Sequence, residues 1–200
     1  MKKKEHMTWY DVTFTQFNKL QELLNIVDEE ERLIAIATLL LGDDITDLTV
    51  AEFTNAVKEL DFLKEECPTK IPPKNIQVNG RKYFVDCLLG RISTAQYIDF
   101  TNSLKDNNLP VALAAFVIPD GHKYNDGYDM LQVIEDVKCM PIPIVNSICF
   151  FFNKQFNASI TIFQSYLTKV VKKANMPKEM KSKMTELIQK SMGLVSSLTS

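Results

Sequence analysis

The chain has 200 residues, of which 46% are hydrophobic and 24% are charged, a composition typical of a globular protein with a buried core and not of a disordered chain. The length suits one domain or two small ones. The formal net charge of −2 argues against a general electrostatic affinity for nucleic acid.

Targeting and redox features indicate an intracellular protein. The basic N-terminus, Lys2-Lys3-Lys4, leads into a polar segment with acidic residues and not into the apolar stretch of a secretory signal. The most apolar long segment, residues 142–163, contains Asn146 and Lys154, so we interpret it as a buried helix and not as a membrane span. The cysteines form no CxxC pair, and we expect free thiols at Cys67, Cys87, Cys139 and Cys149.

The N-terminal third of the chain has the periodicity of three amphipathic helices. Acidic residues 28–31 fall in the first turn of the second helix, where the helix dipole favours negative charge, and Gly42 suits its C-terminal end. The third helix begins with a capping box of Thr49 and Glu52. We therefore predict a basic tail at residues 1–8 and a first helical unit at residues 9–67.

The following segment breaks the helical pattern. Three prolines in residues 68–73 prevent a helix. Two β-prone runs then flank Asn79-Gly80, a pair typical of a type I′ hairpin turn, because both central residues of that turn need positive φ. We predict a proline-rich linker and a β-hairpin at residues 68–92. Since a lone hairpin is marginal in water, we expect it to pack on helices or to gain another strand.

The second half begins with another capping box, formed by Ser93 and Gln96. Pro110 suits the first turn of the next helix, which we expect to continue to Ile118 because apolar residues extend that far. A short helix is predicted at about residues 128–137. These elements and a long apolar helix at about residues 144–174 make a second helical unit at residues 93–174, and an amphipathic helix is predicted at residues 175–200.

The two helical units resemble each other. Residues 13–17 (TFTQF) align with residues 93–97 (STAQY), and residues 35–43 align with residues 112–120, at offsets of 80 and 77. Order, spacing and loop position agree, which favours an internal duplication over the chance alignment of two amphipathic segments. The predicted fold is mainly α: two similar three-helix units joined by a β-hairpin, plus a long apolar helix and a C-terminal amphipathic helix.

The sequence carries no recognisable catalytic or metal motif. Its only histidines are His6 and His122, and it has no Gly-rich phosphate loop, GxSxG or HExxH. The polar loop at residues 120–129 holds several carboxylates, but Leu131 stands where an EF-hand needs glutamate. We interpret the loop as solvated, with a loose cation site as the alternative. The sequence thus predicts no enzyme, no cofactor and no metal.

Protein binding is the class of function that this pattern favours. The candidate contacts are the hairpin edge, the loop at residues 120–129 and the C-terminal helix, whose methionines adapt well to a binding surface. Lysines clustered at both ends of the chain leave a nucleic-acid-associated protein as the alternative, although Glu179 and Glu186 interrupt the second cluster. The candidate partner-binding residues are Tyr83, Val85, His122, Tyr124, Tyr128, Met180, Met184, Leu187 and Ile188.

Several short motifs follow one another along the chain: the two helix starts at Thr49 and Ser93, IATLLLGD at residues 36–43, NGRKY at 79–83, AFVIPDGHKY at 115–124 and FFF at 150–152. Together they resemble small proteins from the virion-morphogenesis gene clusters of tailed bacteriophages, including crAss-like phages of Bacteroidales, over about residues 13–152. The resemblance implies a non-enzymatic role: a tail assembly chaperone-like protein, or a minor component of the neck, tail or packaged cargo. It implies binding to other phage virion or tail proteins, with self-association as an alternative, in the host cytoplasm during assembly or in the virion.

Overall fold

The structure is a computed structural model that describes residues 6–42, 45, 47–173, 179–180, 182–183 and 186. It is mainly helical and contains a small three-stranded antiparallel sheet, as the sequence predicts in outline. Short 3₁₀ helices lie at Trp9–Asp11 and Asp61–Lys64. The main elements are α1 (Phe14–Leu23), α2 (Glu29–Leu41), α3 (Val50–Lys58), β1 (Asn75–Val78), β2 (Arg81–Val85), α4 (Thr94–Lys105), α5 (Leu109–Ala114), β3 (Val117–Pro119), α6 (Met130–Lys138) and α7 (Ile142–Lys173).

The described residues divide into two compact units. The first combines the chain up to Cys87 with Arg91–Cys149, and the second combines Leu88–Gly90 with the chain from Phe150 onward. Helices α1 to α6 and the sheet all belong to the first unit, which also takes α7 as far as Cys149. In the second unit, the backbone N–H of Leu89 donates to the side chain of Gln155 at 3.3 Å.

Polar side chains cap the helices where the sequence predicts helix starts. The capping boxes at Thr49 and Ser93 are both formed, and a third occurs at Thr13. Each capping side chain satisfies a backbone N–H that the helix itself leaves unpaired. Gly42 follows α2 with a φ of 110°, a conformation that favours glycine, so the predicted end of this helix is confirmed.

The predicted β-hairpin is confirmed, and it gains a third strand. Asn79 and Gly80 have φ values of 50° and 78°, as a type I′ turn requires. Strand β3 pairs with β2 antiparallel, and the sheet order is β1-β2-β3. The predicted continuation of the α5 helix to Ile118 is therefore wrong. Ile118 precedes a proline, which disfavours the helical region of φ/ψ, and β2 offers hydrogen-bond partners to an extended chain.

An antiparallel bridge ties the start of α1 to the start of α7. The backbone N–H of Phe14 donates to the carbonyl of Met140 at 2.9 Å, and that of Ile142 donates to the carbonyl of Val12 at 2.9 Å. Val12 is fully buried there. The core of the first unit thus includes residues from both ends of its sequence; its largest fully buried side chains include Tyr83, Phe116, Leu113, Met140, Ile142 and Ile148.

All four cysteines are free thiols, as expected. Burial raises the pKa of Cys87 and of Cys149 to about 11, so both thiols stay protonated at neutral pH. Among the described helices, α7 included, we find none that has both the length and the apolar character of a membrane span.

Candidate protein-binding site

A cleft of about 370 Å³ opens between β2, the loop that follows β3 and the start of α6. It brings together three of the side chains that the sequence singles out: Tyr83, His122 and Tyr128. Its walls combine aromatic rings with charges of both signs, a mixture typical of protein-binding surfaces. The lining residues are Arg81, Lys82, Tyr83, Pro119, Asp120, His122, Tyr128, Asp129, Gln132 and Val133.

Sheet pairing and helix capping position the walls of the cleft. Strand pairing sets Tyr83 opposite Pro119, and the N–H of Asp120 extends the ladder by donating to the carbonyl of Lys82 at 3.0 Å. At the other wall, the side chain of Asp129 caps α6 by accepting from the N–H of Gln132 at 3.2 Å. The cleft therefore rests on regular elements and not on loop conformation alone.

Two residues that line the cleft, Arg81 and Tyr83, bind a buried carboxylate, Asp136, which is 1% exposed. The guanidinium of Arg81 donates to both of its oxygens, from Nε at 2.6 Å and from Nη2 at 2.7 Å. Asn79 donates to it from the hairpin turn at 2.8 Å, and the hydroxyl of Tyr83 donates to Oδ2. Such a bidentate, charge-assisted arrangement is among the stronger polar contacts in proteins. It fastens both the strand and the turn of the hairpin to α6.

The protonation states follow from these contacts. The Arg81 guanidinium, helped by Tyr83 and Asn79, lowers the pKa of Asp136 to about 2 in spite of its burial. Burial and the hydrogen bond to Asp136 raise the pKa of Tyr83 to about 12. At neutral pH the carboxylate is charged and the phenol is protonated, so neither group is poised for proton transfer. The cluster of Asp136, Arg81, Asn79 and Tyr83 therefore has a structural role, which is to hold the hairpin against α6; we call it the clamp.

We expect this clamp to weaken in acid. The pKa of Asp136 is about 2 when folded against an ordinary value of 3.8, so its stabilisation is present above about pH 4 and is lost as the pH falls to about 2. The loss amounts to about 2 kcal/mol. Urea unfolding across this pH range measures it, and an Asp136→Asn protein should lack this part of the acid dependence. The same pH profile for both proteins would contradict the assignment.

The loop at residues 120–129 is held by its own aromatic side chains. The hydroxyl of Tyr124 donates to the carboxylate of Asp99 on α4 at 2.6 Å. The rings of His122 and Tyr128 meet edge to face with their centroids 5.8 Å apart. Burial raises the pKa of Tyr124 and of Tyr128, so both phenols are protonated at neutral pH. The loop is solvated, as its composition predicts, since every residue from 120 to 129 except Tyr124 and Tyr128 is exposed, and these two half-buried rings attach it to the rest of the unit.

The predicted contact residues differ in accessibility. Tyr83 and Val85 are 2% and 5% exposed, so both offer little surface to a partner, and only Tyr83 lines the cleft. The side chain of His122 is 45% exposed and lines the cleft. On the predicted C-terminal helix Met180 is 52% exposed. The other three predicted positions of that helix, Met184, Leu187 and Ile188, lie outside the described residues.

Sequence reasoning missed the residues that hold the cleft together. Asp136 lies between Val133 and Val137 on the buried face of α6. An acidic residue at a position where helical periodicity requires an apolar one is a recognisable signal of a buried ion pair. The pattern does not tell which cation it meets, because Arg81 lies 55 residues earlier in the chain.

No cluster of three or more His, Cys, Asp or Glu side chains suited to a metal ion occurs in the part of the chain that the structure describes. No protein-family model, curated protein or solved structure matches the chain. The cleft and the sequence motifs at about residues 13–152 are therefore the features that bear on function.

Proposed function

We propose that this protein is a non-enzymatic assembly or structural protein of a tailed bacteriophage that works by binding other virion or tail proteins. The observation that carries the proposal is the cleft between β2 and α6, with its aromatic wall and its rim of mixed charge. The phage setting rests on the resemblance of about residues 13–152. A tail assembly chaperone-like role and a minor virion component are the two forms of this proposal.

The rigidity of the cleft supports a role in binding. Its residue Arg81 is held by the buried Asp136, and its loop is bonded to α4 through Tyr124, so a partner meets a surface that is already ordered. A pre-organised surface loses less conformational entropy on association than a mobile one. Tyr and Arg are also the residue types that most often dominate binding energy at interfaces.

We further propose that the two helical units arose by duplication. Their helices begin at N-caps separated by 80 residues each: Thr13 and Ser93, Asp28 and Asn108, Thr49 and Asp129. What also supports the proposal is a shared long-range contact. Gln16 donates its side-chain amide to the carbonyl of Leu39 at 3.5 Å, and Gln96 donates to that of Ala115 at 2.9 Å. A repeated unit suits a scaffold that presents surfaces to partners.

Mass spectrometry of purified virions alongside infected-cell lysate tests the phage assignment. A stoichiometric signal in virions supports a structural component, and a signal confined to lysate supports the chaperone-like form. In the lysate, chemical cross-linking then identifies the partner. Absence of the protein from both samples, or cross-links to no virion or tail protein, would overturn the proposal.

Replacing the aromatic side chains that line the cleft should weaken partner capture. We expect His122→Ala with Tyr128→Ala to reduce recovery of the cross-linked partner about tenfold or more, because both rings line the cleft. Tyr166→Ala is the matched control, since that ring is 61% exposed on α7 and does not line the cleft. Circular dichroism verifies that each variant is folded. Equal recovery from all three proteins would place the partner elsewhere.

A further inference from the structure

A second surface, which shares no residue with the cleft, lies between α2 and α3. It is an apolar groove of about 290 Å³ lined by Ile34, Ile45, Leu48, Val50 and Phe53. Ile34 is 45% exposed and Val50 is 84% exposed, so the groove presents large aliphatic side chains to solvent. Contiguous exposed apolar surface of this kind marks a site of interaction.

Helices α3 and α6 differ in how far their apolar faces are buried. Helix α6 begins 80 residues after α3 and buries Val133, Asp136 and Val137. The positions 80 residues earlier are Phe53, Ala56 and Val57, and none of the nine residues of α3 is fully buried. Both helices are amphipathic, but the apolar face of α6 is buried, whereas that of α3 is only half-buried. An amphipathic helix gains most of its stability from covering that face.

The stretch of sequence that supplies the groove residues is strongly acidic. Residues 28–66 contain twelve Asp or Glu and three Lys or Arg, a net charge of −9 against −2 for the whole chain. Glu30 and Glu31 lie one turn before Ile34 on α2, and Asp47 lies just before Leu48. All three are exposed, and within the described residues none of them forms an ion pair. Their charge is therefore available to a partner.

We propose that this groove binds a basic amphipathic helix of a partner protein. Such a helix places an apolar stripe against Ile34, Leu48 and Val50, as in other helix-in-groove complexes. Its lysines or arginines pair with Glu30, Glu31 and Asp47. Nucleic acid and anionic lipid are poor occupants, because their negative charge meets negative charge. This inference goes beyond the proposed function and does not depend on the cleft.

Two designed peptides of about 18 residues, or five helical turns, test the proposal on the full-length protein. Both carry leucines at helical spacing; one has lysines at the remaining positions and the other has glutamates. Fluorescence anisotropy should show saturable binding of the lysine peptide that weakens as salt is raised, and no binding of the glutamate peptide. Failure of the lysine peptide to bind, or equal binding of both peptides, would overturn the proposal.

Three variants separate groove binding from general attraction of a basic peptide. Ile34→Ser with Val50→Ser removes apolar contact, and Glu30→Gln with Asp47→Asn removes charge; each pair should weaken binding of the lysine peptide about tenfold or more. Leu131→Ser is the control, because Leu131 is 75% exposed on α6 away from the groove lining. Binding that is equal in all variants would overturn the assignment.

A second copy of this chain is the competing occupant of the groove. Sedimentation measured over a range of protein concentrations detects it without any peptide. A wild-type dimer that Ile34→Ser with Val50→Ser converts to a monomer would assign the groove to a second copy of this chain and overturn the proposal of a separate partner. A monomer in both cases supports it. These outcomes leave the virion and cleft experiments unaffected, so each proposal stands or fails separately.

Discussion

Replacing Asp136 with alanine is expected to lower the free energy of unfolding by about 2–4 kcal/mol. The carboxylate is 1% exposed and accepts hydrogen bonds from Arg81, Asn79 and Tyr83. Without it, the buried hydroxyl of Tyr83 loses its acceptor and the guanidinium of Arg81 loses its counter-charge. Both losses fall on the contact that holds the hairpin to α6. Urea unfolding followed by circular dichroism measures the change.

Glu135→Gln on the same helix is the matched control. Glu135 is 62% exposed and pairs with Lys138 at 2.6 Å, and an exposed pair of this type contributes less than about 1 kcal/mol. Asp136→Asn should fall between the two, because an amide keeps one acceptor oxygen but carries no charge. Equal stability of the Asp136→Ala and Glu135→Gln proteins would show that the hairpin does not depend on the buried carboxylate.

Replacing Phe116 with alanine is expected to cost about 3–5 kcal/mol of stability. The side chain is fully buried, and its ring lies against that of Phe100 with the centroids 4.9 Å apart. Phe116 also joins α5 to β3, and its carbonyl accepts from the N–H of Asp86 at 3.0 Å. Truncation leaves a cavity at the junction between α5 and β3. The backbone there is fixed by both elements, so it has little freedom to move and fill the cavity.

Two further variants show whether the loss at Phe116 comes from the cavity. Phe116→Leu keeps most of the volume and should cost less than about half as much as alanine. Leu131→Ala removes a side chain that is 75% exposed, so its effect should stay within about 0.5 kcal/mol. Thermal or urea unfolding gives all three values. A Phe116→Ala protein as stable as Leu131→Ala would contradict the packing described here.

Local features of the sequence predict much of this fold. Capping boxes, the Asn79-Gly80 turn and the glycine after α2 all act within a few residues, and the structure has each of them where the pattern places it. The long helix is also close to its prediction, with observed bounds of Ile142–Lys173. These features need no knowledge of tertiary contacts, because their energetics depend on the nearest backbone groups.

Non-local pairing accounts for what the sequence does not reveal. Val117 and Ile118 continue an apolar helical pattern, and pairing with the edge of β2, together with Pro119, makes residues 117–119 a strand. The cleft depends on Arg81 meeting Asp136 across 55 residues, which no periodicity encodes. The groove was missed for a related reason. Periodicity identifies the apolar face of α3 but cannot tell that the chain buries this face only in part while it buries that of α6.

The bridge between residues 12–14 and 140–142 limits how early the first unit can finish folding during synthesis. At ~5–20 residues per second, roughly ten seconds separate the synthesis of Val12 from that of Ile142, its hydrogen-bond partner. Helices α1 to α3 emerge during this interval with the buried surface around Val12 and Phe14 still uncovered. The two hydrogen bonds of the bridge cannot form until Ile142 has been synthesised. The first unit therefore completes its native core only late in synthesis, when the start of α7 has become available to pair with residues 12–14.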